Sequence, residues 1–274
     1  MNVANFAGVW RRTMLFEPIG TIGPEEELRK DVIWVQAVDG NFIDIRYCAG
    51  ETQHDKMKSF AGTGSYDATA AHFTWTRKFD FRAPGSPDIG LMKVLKGSNE
   101  SPEQLEEDGV LPGDDYREIW DRLSAPKADS DCTARLICID TAGNQTRKGL
   151  FLVVGDWFAL VLSRSEQESG LHTLQSAFSA ENSASTMADV AKSAYVWSYV
   201  AAMGNTSTWR IEYALHPELR GTQLPPADGT AAAHTLGALF DPLGGWEWHY
   251  VTGAPPLPFR QCTRRDVSAD VADT

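Results

Sequence analysis

Apolar and polar residues along this chain alternate with a period of two far more often than they recur at helical spacing. The clearest stretch is Val32 to Cys48, VIWVQAVDGNFIDIRYC, in which β-branched and aromatic residues fill seven or eight positions on either side of Asp39-Gly40. An Asp-Gly pair between such runs predicts a β-hairpin closed by a two-residue type I′ turn, because both central residues of that turn need positive φ. Further strands are expected near 7–16, 57–66, 71–81, 89–96 and 115–123, with a second hairpin turning at Asp67-Ala68-Thr69-Ala70. Segments 83–88 and 97–114 hold Pro, Gly and acidic residues and read as loops.

Ser124 to Asp131 is a polar break without periodicity, and the strand pattern starts afresh beyond it at 132–140, 147–155 and 157–164. A third hairpin, Ala194 to Leu215, turns at Gly204-Asn205, and late strands are expected at 246–251 and 259–264. Leu171 to Lys192 is Ala- and Ser-rich and predicts the one substantial helix; the tail after Arg265 is expected to fray. The fold class is therefore all-β: two consecutive antiparallel barrels, 1–126 and 127–274, with one short helical insertion. Closing a sheet into a barrel removes its edges, and eight strands leave room for side chains or one small ligand.

Composition narrows the partners. A net charge of −12 argues against nucleic acid and anionic membrane, since phosphate binding needs a clustered basic surface. The acidic runs Glu25 to Glu27 and Glu103 to Asp108 read as solvated loops, with an acidic docking face as the other reading. MNVANFAGVW has no basic region followed by a long apolar run, and no segment approaches the roughly 18 apolar residues of a membrane span, so a cytoplasmic protein is expected. Cys48, Cys132, Cys138 and Cys262 show no CxxC spacing. Cys132 and Cys138 share a strand face about 20 Å apart, so reduced thiols without a disulfide are expected. The six His never fall at HxH or HxxxH spacing, and GxGxxG, GxxxxGK[ST] and GxSxG are all missing, so no metal and no cofactor is expected.

Two resemblances follow from short motifs. Gly8-Val9-Trp10, followed by Arg11 and Arg12, resembles the Gly-x-Trp first strand of lipocalins, in which the Trp closes the barrel base under a stacked Arg. Four blocks resemble the fungal HRI family, named for interaction with the Hrr casein kinase. They are Asp39 to Arg46, Phe60-Ala61-Gly62-Thr63, Tyr116-Arg117-Glu118-Ile119-Trp120, and Gly149 to Phe158, in the family's order. That resemblance implies two lipocalin-like barrels in a cytosolic protein and carries no catalytic residues with it.

The candidate chemistry lies on the first-half strands. Phe42, Asp44 and Arg46 share one face of their strand and Ile43, Ile45 and Tyr47 the other. Pointing outward, Asp44 and Arg46 are a solvated pair; pointing inward, Arg46 could anchor a ligand carboxylate or enolate. Tyr116, Glu118 and Trp120 likewise share a face, so Glu118 is either a rim salt bridge or a buried acid-base group. The candidate catalytic set is Glu118, Arg46, Tyr116 and His72, with Arg77, Trp75, Trp120 and Trp34 as ligand-binding residues. Trp246, Trp248 and Tyr250 pose the same choice between core and pocket wall in the second half, whereas Trp197, Tyr199, Trp209 and Tyr213 pair across a hairpin. Three functions stay open: binding of a small apolar or aromatic molecule, a cofactor-independent lyase, isomerase or cyclase on the same pocket, and a non-catalytic interaction module with a protein partner. A buried carboxylate with a shifted pKa would favour the enzyme, a hollow apolar barrel the binder, and a solid core the interaction module.

Overall fold

In the computed structural model, residues 1–28, 30–48, 58–81, 87–139, 145–163, 200–215, 219–221 and 245–252 are described. The chain divides into two units, Met1–Pro126 and Lys127–Thr274. In the first, β1 (Gly8–Phe16), β2 (Lys30–Gln36), β3 (Asn41–Cys48), β4 (Lys58–Asp67), β5 (His72–Asp80), β6 (Asp88–Gly97), β7 (Pro102–Gly109) and β8 (Arg117–Ser124) pair in sequence order. Antiparallel pairing of β1 with β8 closes the barrel. The second unit is an antiparallel sheet of six described strands in the order β13-β12-β11-β10-β9-β14. These are β9 (Cys132–Ile139), β10 (Gln145–Val154), β11 (Trp157–Leu162), β12 (Val200–Asn205), β13 (Arg210–Ala214) and β14 (Gly245–Thr252). The fold is all-β, as the alternation predicts. The expected helix at 171–192, Trp197 and Tyr199, the strand at 259–264 and the tail lie outside the described residues, as do the side chains of Trp246, Trp248 and Tyr250.

Two local expectations are corrected. The Asp39-Gly40 turn is not type I′, because Gly40 alone has positive φ, at 90°. The Gly40 amide donates to the Ala37 carbonyl at 3.1 Å and the Ala37 amide to the Asn41 carbonyl at 2.8 Å. That pattern is a three-residue loop ending in a glycine bulge, in which the Asp39 side chain also accepts from the Asn41 amide at 3.0 Å. The second correction is β7, whose sequence PEQLEEDG reads as an acidic loop. Its outward carboxylates are met across the sheet: Lys93 reaches Glu106 at 3.4 Å on one side, and Arg117 reaches Asp108 at 2.6 Å on the other. Opposite charges directly facing one another stabilise a pleated pair that composition alone would not favour.

The core of the barrel is aromatic. Phe6, Trp10, Val32, Trp34, Phe42, Phe60, Phe73, Trp75, Met92, Leu105 and Trp120 form one buried cluster. One end is plugged by a 3-10 turn, Val3–Phe6, capped by the Asn2 side chain. Phe6 meets the Phe73 ring edge-on at 5.0 Å, and the Trp10 indole N–H donates to the Phe6 carbonyl at 2.8 Å. The Arg122 guanidinium lies 4.6 Å over the Trp10 ring. An Arg stacked on the first-strand Trp is the arrangement that the Gly-x-Trp resemblance implies, and here the last strand supplies it. Ile33, Val35, Ile43 and Ile45, on the outer faces of β2 and β3, are buried too. Strands buried on both faces read as continuous apolar runs rather than clean alternation.

Close strand approach depends on Gly62. A Cβ there would sit 2.0 Å from the Thr76 carbonyl oxygen, and backbone cannot swing aside as a side chain can. Gly62→Ala is expected to destabilise the barrel by about 1–3 kcal/mol or more, the range for overpacking, read as a lowered urea midpoint. An unchanged midpoint would show that β4 and β5 are not packed this tightly.

In the second sheet, Phe151, Leu152, Val153 and Val154 of β10 and Phe158 to Leu162 of β11 are buried. Cys132 is a buried free thiol whose pKa is pushed up to about 12, chiefly by burial, so it stays protonated and unreactive at neutral pH.

Candidate ligand site in the N-terminal barrel

The end of the barrel opposite the Phe6 plug is charged inside. Strand alternation turns Phe42, Asp44 and Arg46 of β3 inward, and register sets Asp44 between Trp34 on β2 and Phe60 on β4. A bulge between Ala61 and Gly62 brings Asp80 and Arg77 of β5 to the same face, and Trp75 pairs with Asp88 of β6. Glu107 on β7 lies directly across from Glu118 on β8, and Trp120 from Leu105. Arg12, two residues after the inward Trp10 and paired with Trp120 of β8, faces inside as well.

These groups are paired in three clusters. Arg12 donates to Glu118 at 2.6 Å, with both side chains about 95% buried, and its other arm donates to the Glu27 carbonyl at 2.7 Å. Arg46 Nε donates to Asp44 Oδ1 at 3.1 Å. Arg77 bridges Asp88 at 2.8 Å and Asp80 at 3.6 Å and stacks on the Phe60 ring at 4.2 Å. Burying such charges unpaired would be costly, and the pairing satisfies most of that cost.

Glu107 differs from its neighbours: among the described residues no cation forms an ion pair with it. Its Oε1 accepts from the Tyr116 hydroxyl at 3.1 Å and its Oε2 from the Trp120 indole N–H at 3.0 Å. Burial, then repulsion from Glu118 and Asp88, holds its pKa well above the usual carboxylate range. Burial also raises Asp44, against the pull of Arg46. Tyr116 is raised as well, first by burial and then by Glu107. The site thus keeps a carboxyl disposed to hold its proton beside ionised groups, as acid-base sites require.

Trp34, Asp44, Arg46, Phe60, Trp75, Asp88, Glu107 and Trp120 line one cavity. Its volume of about 10 Å3 is close to that of a single enclosed water, roughly 10–15 Å3 on the same measure. Six of these eight lie on the inward faces that sequence alternation makes available.

Of the expected site residues, Arg46, Trp34, Trp75 and Trp120 line the cavity; Tyr116 touches it through Glu107, Arg77 through Asp88 and Phe60, and Glu118 sits opposite Glu107. His72 is not brought in: it opens β5 one residue before the inward Phe73 and pairs across the sheet with Asp67 and Leu91. Sequence reasoning passed over Arg12, Asp88 and Glu107. Arg12 had a usable signal, since it shares a strand face with Trp10; Glu107 had none, sitting in a run of acids. No group of His, Cys, Asp and Glu among the described residues is disposed to hold a metal ion. No helix among them is long and apolar enough to cross a membrane.

The fold defines the class: an eight-stranded, sequentially paired antiparallel barrel with a charged aromatic interior, followed by a second antiparallel sheet. Within it the chain belongs to the HRI1 family, for residues 19–215 match the family described as Protein HRI1. The match runs through most of the barrel and into the second sheet, as the sequence resemblance implies. No curated protein sequence matches the chain. It is similar in structure to the crystal structure of an uncharacterized protein from Saccharomyces cerevisiae, with a TM-score of 0.47 and 13% identity over 77% of this chain and 86% of that one.

Proposed function

We propose that the N-terminal barrel is lipocalin-like and binds a small apolar or aromatic organic molecule at its charged end, in a cytoplasmic protein. The supporting observation is the cavity lining: Trp34, Phe60, Trp75 and Trp120 as walls, with Asp44, Arg46, Asp88 and Glu107 as the few placed polar groups. Apolar walls with sparse, oriented polar groups are what small-molecule sites have in common. The cavity holds about one water, so the reading requires a lining side chain to move on binding. Arg46 is the candidate, being 18% exposed and, among the described residues, joined to the interior by one hydrogen bond, to Asp44.

The probe for this reading is 2-phenylethanol, titrated into the whole chain and followed by tryptophan fluorescence and calorimetry. A saturable response that is weakened at least tenfold by Trp75→Ala is expected. A linear, unsaturable response would overturn it. Glu107 supports a second reading, a cofactor-independent lyase, isomerase or cyclase in which this buried acid passes a proton to the bound molecule, the part that the sequence suggests for Glu118. Loss of turnover in Glu107→Gln with ligand affinity retained would distinguish an enzyme from a carrier.

A further inference from the structure

Inside the charged end, the described side chains of Asp44, Asp80, Asp88, Glu107 and Glu118 face those of Arg12, Arg46 and Arg77, and Lys30 on the same face of β2 is paired with Glu27 at 2.5 Å. The three arginines are held very differently. Arg12 has both arms tied, to Glu118 and to the Glu27 carbonyl. Arg77 is tied to two carboxylates. Among the described residues, Arg46 makes one hydrogen bond, from Nε, and lies 5.3 Å over the Phe60 ring. Its guanidinium therefore fills a place with one carboxylate to accept a hydrogen bond, aromatic faces to attract positive charge, and further acids nearby.

Resting on the small-molecule reading above, we infer that the group this barrel recognises is a protonated amine on a small aromatic body, which displaces the Arg46 guanidinium and takes its place between Asp44 and Phe60. The exchange leaves the buried charge balance unchanged. Asp44 keeps a cationic donor, and the Phe60 ring keeps a positive group over its face. Arg46 itself moves outward from its position near the end of β3. A neutral ligand in that place would leave Asp44 without its partner, and an anion would add repulsion from Asp44, Asp88, Glu107 and Glu118. This reverses the part that an inward Arg46 suggests from sequence: Arg46 is the internal stand-in for a cation and not the anchor for an anion. The chain's net charge of −12 also favours the approach of a cation.

The test compares three near-isosteric probes by calorimetry on the whole chain at pH 7: phenethylamine, 2-phenylethanol and phenylacetate. Phenethylamine is expected to bind at least tenfold tighter than 2-phenylethanol, and phenylacetate weakest. Arg46→Met, which removes the internal competitor, is expected to tighten phenethylamine a further tenfold and to change 2-phenylethanol less. Asp44→Asn is expected to bring the ratio of phenethylamine to 2-phenylethanol affinity down to about one. If the amine and the alcohol bind the parent equally, or phenylacetate binds tightest, the amine assignment falls and the small-molecule reading stands. If none of the three binds either the parent or Arg46→Met, both fall. Circular dichroism establishes that each variant folds; should Arg46→Met unfold, the ratio of affinities in the parent decides alone.

Discussion

Arg12→Met is expected to lower the unfolding free energy of the barrel by about 3–5 kcal/mol, the usual consequence of removing one partner from a buried ion pair. The loss arises less from the missing attraction than from what remains. Glu118, 4% exposed, would stay buried among Trp120, Leu15 and Glu107 without the guanidinium that donates to it. The Glu27 carbonyl would lose its guanidinium donor as well. Arg12→Met/Glu118→Leu, which replaces both charges with apolar side chains of similar size, is expected to recover most of that loss, since a buried pair is often no more stabilising than well-packed hydrophobic residues. A double-mutant cycle from urea unfolding would give the coupling between the two residues. If Arg12→Met unfolds at the parent's midpoint, the pair is solvated and the interior is wetter than its burial implies.

The barrel was legible where side-chain alternation and turn chemistry agree, as along Val32 to Cys48. It was illegible in β7, where a single apolar residue, Leu105, sits among acids and the strand is defined by partners on β6 and β8. Local sequence carries no record of those cross-strand partners. The facing of Arg46 was ambiguous for a related reason. Phe42 and Asp44 on one face of β3 and Ile43 and Ile45 on the other are all buried, so the alternation did not say which face lines the barrel, and one step of register exchanges the two. The Trp10 face settles this for β1. A Trp that closes the barrel base places Arg12, two residues on, inside as well. Glu107 comes inside only through its register with Met92 and Glu118, a property of the closed sheet.

That placement gives Glu107 the second large effect, a dependence of stability on pH. Its folded pKa is raised, first by burial and next by Glu118 and Asp88, while in the unfolded chain the carboxyl titrates near its usual 4.5. Below that value both states hold the proton and the group contributes nothing. As pH rises beyond it, the unfolded chain releases the proton and the folded chain keeps it. The native state then binds one proton more, and stability falls by up to about 1.4 kcal/mol per pH unit until the folded pKa is passed. Glu107→Gln mimics the protonated acid. The amide oxygen can accept from the Trp120 indole, and the amide NH2 can donate to the Tyr116 hydroxyl, which accepts as readily as it donates. The charged groups facing it (Arg46 on β3, Asp88 on β6, Tyr116 and Glu118 at β8) are the same in parent and variant, and Asp44, also raised, contributes equally to both. Urea midpoints are therefore expected to coincide near pH 4.5 and to separate steadily toward pH 7.5, with the variant the more stable. Parallel curves across that range would show Glu107 to be ionised in the folded barrel, and would remove the proton on which the enzymatic reading depends.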